Sequence, residues 1–240
     1  MKNLLITMLL VFVICFPAQS QLFDKLKKEA NNLLGNGTGS FTSDEAAKAI
    51  KEALISGVSK GSDKVSQVDG FFKNPEIKIP VPKEAKIVET SMKKIGMGAQ
   101  VDKAVLSLNR AAEDAAKSAK PIFVDAVKGM TINDAVNIVK GDSTAATKYL
   151  KGKTTASLTK TFAPIIKSSL DKVDATKYWG EVMTTYNKIP FVQKVNPDLT
   201  QYVTQKAMDA LFLMISREET LIRKDPVAQT TDLLKKVFGK

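Results

Sequence analysis

A chain of 240 residues, 44% of them hydrophobic, is long enough to bury one good core, and a single domain is the default reading. Histidine is absent and the one cysteine, Cys15, lies in an N-terminal apolar run. That removes the imidazole base, the thiolate nucleophile of a folded body, disulfides, and zinc sites of the usual nitrogen and sulfur type. The net charge of +11 is carried by lysines dispersed along every segment, with arginine only at 110, 217 and 223. Arginine is the better base reader, so this pattern argues against nucleic acid and for a solvated lysine surface or attraction to anionic envelope lipid or polysaccharide.

Residues 1–20, MKNLLITMLLVFVICFPAQS, read as an export signal: Lys2 is the positive n-region, Leu4 to Phe16 the apolar core, and Ala18-Gln-Ser20 the small-residue processing site. The apolar run is shorter than the roughly 20 residues a spanning helix needs. Ile14 stands before Cys15, where lipoprotein processing wants a small residue, so an unlipidated chain starting at Gln21 is expected. The expected location is periplasmic or secreted, with no transmembrane segment after cleavage. Residues 21–40 form a second unit. LFDKLKKEANNLL (22–34) has a helical apolar stripe with lysines opposite, and GNGTGS (35–40) is a flexible linker. This appendage docks on the body or lies on a membrane surface.

The body, 41–240, opens with a capping-box pattern at Thr42-Ser-Asp-Glu45 and a helix to about Val68, in which Gly57 and Gly61 would let another helix approach. GFFKNPEIKIPVP (70–82) has three prolines and alternating Ile77, Ile79 and Val81, and reads as extended. Pro82 starts a helix over 83–95 that Gly96 and Gly98 end. Further helices are expected over 99–118, from Pro121 to Gly129, from the Thr131 cap to Val139, from the Ser143 cap to about Lys151, and over 154–173, where Pro164 forces a kink or break. A helix over 175–187 contains Trp179, and the loop IPFVQKVNPD (189–198) carries two prolines. A long helix over 199–224 and a last one over 227–238 follow. The fold class is all-α: one helical-bundle-like domain of about 8–10 helices with two proline-rich extended loops.

The stretches LSLNRAAEDAAKSAKPIFVDAVKGMTINDAVNIVKG (106–141) and YVTQKAMDALFLMISREETLIRKDP (202–226), with the closing LLKKVFGK, resemble a bacterial family catalogued as domain of unknown function 4197. The loop Lys73-Asn-Pro-Glu-Ile-Lys-Ile-Pro-Val-Pro82 also matches its pattern before the third helix. The resemblance covers about residues 42–240 and implies an exported helical protein of bacterial envelopes. It implies no activity, cofactor or catalytic residue.

Three Ser-x-x-Lys matches, at Ser91, Ser157 and Ser169, lack the companion motifs of serine enzymes. Lys151-Gly-Lys-Thr154 ends like a phosphate loop but has Thr147 where the first glycine belongs. The more informative polar set is Asn109, Arg110, Glu113 and Asp114 on one helix, with Asp125 and Asp134 on the short helices after it and Asp209 on the long one. Arginine holds carboxylates bidentately, so the arginines are expected to brace helices against Asp209, Asp125, Asp134 or a neighbouring glutamate. The run Leu211 to Ile215 suggests a helix buried on every side, which would bury Asp209 and make Arg110 its first-choice partner. The competing reading makes Asn109, Arg110, Glu113, Asp125, Asp134 and Asp209 a ligand site, with Phe71, Phe72 and Phe191 on the pocket rim. No metal or cofactor is expected. The reading that follows is a non-catalytic envelope protein binding an apolar or anionic, lipid-like partner. A structural or protein-interaction module stands second, and an enzyme using carboxylates third.

Overall fold

Three helix starts are set by local capping side chains, at Thr42, Thr131 and Asp198. The computed structural model describes residues 42–188, 190–191, 194–196, 198–225 and 227–238; the expected export signal, the 22–34 helix and the 35–40 linker lie outside them. Among the described residues there are nine α-helices, one 3-10 turn and no strand. Helix α1 (Ser43–Val65) starts on a complete capping box: Thr42 Oγ1 accepts the Glu45 amide, and Glu45 Oε2 accepts the Thr42 amide at 2.7 Å. It ends three residues short of Val68, where the chain enters a series of turns. Gly70 is required there, because a Cβ would lie 2.5 Å from the Val65 carbonyl oxygen. Gly57 and Gly61 do face the long helix, but an added Cβ at either would meet only ordinary contacts of 3.5 Å or more.

The 70–82 segment is extended only in its second half. Asn74 turns the first half: its carbonyl accepts the amides of Ile77 and Lys78, and its side chain accepts that of Glu76. A 3-10 turn (Lys83–Ala85) leads into α2 (Lys86–Lys94), which ends before Gly96 at φ +84°. Helices α3 (Gly98–Ala116), α4 (Ala119–Lys128) and α5 (Ile132–Lys140) follow, the last opened by a Thr131–Asp134 capping box.

Helix α6 (Ala145–Asp171) is one element where two were expected, from Ser143 to about Lys151 and over 154–173, and it runs unbroken through Pro164. Pro164 lies on the solvent side of the helix, away from its buried side chains. Its buried stripe is Leu150, Leu158, Phe162, Ile166 and Leu170. Then come α7 (Ala175–Tyr186), α8 (Leu199–Lys224) and α9 (Asp232–Phe238). Helix α8 is the centre of the bundle, packed by α6, α1 and α3. Val203, Ala207, Met208, Leu211, Met214 and Ile215 are buried, and Phe212 meets Phe123 of α4 edge to face at 5.8 Å. The helix is not buried on every side: Gln205, Lys206, Asp209, Leu213 and Arg217 form an exposed line along it, Leu213 being 37% exposed.

Candidate functional site

Three of the polar residues singled out on α3 converge on one task. Asn109, wholly buried, accepts the Ile79 amide at 2.8 Å and donates to the Ile79 carbonyl at 2.9 Å and to its own helix at Val105. Glu113, 3% exposed, accepts the amides of Phe71 and Phe72 on Oε1 at 3.0 and 3.2 Å, and Arg110 on Oε2 at 2.6 Å. Arg110 also donates to Asp69 at 2.7 Å, and Lys73 reaches the other Asp69 oxygen. These two cations, Lys73 first, hold the Asp69 carboxyl below the usual range. Asp69 occupies left-handed backbone at φ +71°, a conformation aspartate tolerates better than most residues. Together the side chains replace a missing β partner for the 70–82 strap. Its Phe71, Ile77 and Ile79 enter the core, and Tyr202 and Arg217 of α8 hold Pro80 and Glu76 from the other side.

A second clamp went unread in the sequence. Glu219 of α8 accepts the amides of Ala146 and Thr147 and the Thr147 hydroxyl at 2.8–3.0 Å, capping α6 from another helix. Thr144, at the cap position, has no side-chain cap bond of its own. Arg223 backs Glu219 with two nitrogens and donates to the Ile138 carbonyl at 2.8 Å. The one sequence signal was the Glu219–Arg223 spacing of four.

The remaining expected residues are elsewhere. Asp209 is exposed and accepts from Gln205 one turn back, so the Asp209–Arg110 pair does not exist; a run of apolar residues does not say which side of a helix is covered. Asp134 caps α5, and the Thr131 amide and hydroxyl hold its carboxyl low. Asp125 is exposed on α4 and lines a groove of about 380 Å³ between α4 and α6. A smaller cleft of about 20 Å³, between α1 and α8, has room for about one water. None of Phe71, Phe72 and Phe191 lines either. Phe71 is core, and Phe72 is half-buried under the Lys78 ammonium, 4.1 Å from its centroid. Among the described residues no group of three or more acidic, histidine or cysteine side chains is placed to hold a metal ion.

Phe191 belongs to the 187–196 loop, of which residues 187–188, 190–191 and 194–196 are described. That loop is bracketed by Asn187, which exchanges two hydrogen bonds with Val195, and by Trp179, which donates to the Asn196 carbonyl. Val195 packs on Ala85, with Val88 and Trp179 against them, so the loop and α2 form one surface. Phe191 is held at φ +63° and is fully exposed (108%); on α2 and its C-cap, Ile87 and Ile95 are 68% and 72% exposed. Lys83, Lys86, Lys93, Lys94, Lys188 and Lys194 are exposed on the same segments.

A family model described as "Protein of unknown function (DUF4197)" matches residues 40–239. No curated protein and no solved structure matches the chain.

Proposed function

The chain belongs to the DUF4197 family, and we propose that it is an exported, non-catalytic binding protein that rests reversibly on anionic lipid of the bacterial envelope. The observation that carries this reading is the exposed apolar set on α2 and on the loop that packs with it, Ile87 and Ile95 on the one and Phe191 on the other. Six exposed lysines lie on the same segments; Lys93 is paired with Glu89 and, among the described residues, the other five are available. A bulky residue in left-handed backbone costs on the order of 1–3 kcal/mol, and Phe191 gains no intramolecular burial in return. Insertion into an interface recovers about 1.5–3 kcal/mol for each large apolar side chain fully buried. Each lysine near an anionic leaflet adds about 1 kcal/mol. Such sums give reversible surface attachment, and no helix among the described residues is long and apolar enough to cross a membrane.

The non-catalytic part of the reading is supported by where the buried carboxylates are spent. Both oxygens of Glu113 and of Glu219 are occupied by backbone amides, a hydroxyl or arginine, so these carboxylates serve to hold the strap and the α6 start. Co-sedimentation tests the proposal. The protein is expected to pellet with phosphatidylglycerol vesicles, to release at high salt, and to ignore phosphatidylcholine. Equal recovery with both lipids, or none with either, would overturn it and favour a protein partner.

A further inference from the structure

The α4–α6 groove is a site of a different kind. Its lining combines apolar Ile122 and Ala126 of α4 and buried Thr154, whose hydroxyl is spent on the Leu150 carbonyl, with Asp125 on one helix and Tyr149, Lys153 and Ser157 at every fourth position of the other. Neither Asp125 nor Lys153 forms an ion pair among the described residues, with each other or with anything else. The Tyr149 and Ser157 hydroxyls likewise have no hydrogen bond there. This contrasts with the clamps described above, where Asn109, Glu113 and Glu219 each hold two or more partners. Lys153 is positioned over the Tyr149 ring, 5.7 Å from its centroid, and Asp134 of α5 lies within electrostatic reach of both. Burial and the Asp134 charge raise the Tyr149 phenol, which keeps it a neutral donor.

We propose that this groove binds a small zwitterion, an amino acid or a dipeptide with free termini. Its ammonium would meet Asp125, its carboxylate Lys153 and the Tyr149 hydroxyl, and an apolar side chain would lie on Ile122 and Ala126. A volume of about 380 Å³ falls at the small end of ligand sites. Other ligand classes leave something unmet. A neutral sugar satisfies the hydroxyls and leaves Asp125 without a counter-charge and Lys153 with only the more distant Asp134, and a fatty acid satisfies Lys153 but lays hydrocarbon against Asp125. Only a molecule with one charge of each sign uses the whole lining. This site is independent of the lipid-facing end of the molecule.

Calorimetric titration of the purified protein with glycyl-leucine, N-acetyl-glycyl-leucine and glycyl-leucinamide tests it. The free dipeptide is expected to bind, and each blocked form about tenfold or more weaker, the usual cost of one charge-assisted contact. Asp125→Asn should lose the preference for a free amine and Lys153→Gln the preference for a free carboxylate. Among the described residues neither side chain has a hydrogen-bond partner, and Lys153 has only its Asp134 and Tyr149-ring interactions, so Asp125→Asn should melt as the parent does and Lys153→Gln close to it. Absence of heat with the free dipeptide at millimolar concentration, or equal binding by both variants and the parent, would overturn the proposal. Vesicle binding should be unchanged in Asp125→Asn, so the two readings fail separately.

Discussion

The Glu219 carboxylate on α8 accepts the Thr147 amide of α6 at 2.9 Å, joining the first turn of one long helix to the last turns of another across 72 residues. Removing it leaves two buried amides and the Arg223 guanidinium without their acceptor. Glu219→Ala should cost about 3–5 kcal/mol, as loss of one partner of a buried charged pair does. Urea denaturation measures it. The double variant with Arg223→Ala should be less destabilised than the sum of the singles.

The strap clamp predicts a local effect. Glu113→Gln keeps the shape but places an amide N–H₂ near donors, and Asn109→Ala removes the Ile79 pairing outright. Either should raise amide hydrogen exchange at Phe71, Phe72 and Ile79 well before it affects α6 or α8, and cost about 1–3 kcal/mol. Uniform exchange across the chain would contradict the clamp.

Core and surface of α8 should respond differently to substitution. Leu211→Ala and Met214→Ala should each cost about 2–5 kcal/mol, since both side chains are buried. Asp209→Asn, beside them in sequence but in solvent, should change stability by about 0.5 kcal/mol or less. Thermal melts of the three variants separate the cases.

Acid should loosen the contact between the chain's last described helix and its first. Lys236 of α9 donates to Glu45 of α1 at 2.8 Å, and this bond, with the Thr42 cap, lowers the Glu45 carboxyl from 4.5 to about 2. A depressed carboxyl contributes stability that is fully present above its unfolded value and is lost as pH falls through the folded one. Destabilisation is therefore expected to develop between about pH 4.5 and 2, and Glu45→Gln should flatten that part of the pH–stability curve.

What could be read from sequence was whatever is local. Thr42 and Thr131 cap helices through partners three residues on, and the all-α class followed from helical stripes. Asn109, Arg110 and Glu113 stood out as polar residues on an apolar helix. Their partners did not, because the strap amides they hold lie 30 to 42 residues away and any backbone N–H looks alike in sequence. Glu219 was missed for the same reason. Asp209 was misplaced because five consecutive apolar residues were read as burial all round, whereas Leu213 inside that run is partly exposed and Asp209 falls one turn before it. The rim expected at Phe71 failed because the strap turns that ring into the core. Phe191, on the other loop, points outward.

The proposed entry of Phe191 into lipid can be read optically. Phe191→Trp in a Trp179→Phe background puts one reporter at the loop tip. With phosphatidylglycerol vesicles containing acyl-chain-brominated lipid, its emission is expected to shift blue and be quenched, and to recover at high salt. An emission maximum and intensity unchanged by those vesicles would show that Phe191 does not enter lipid.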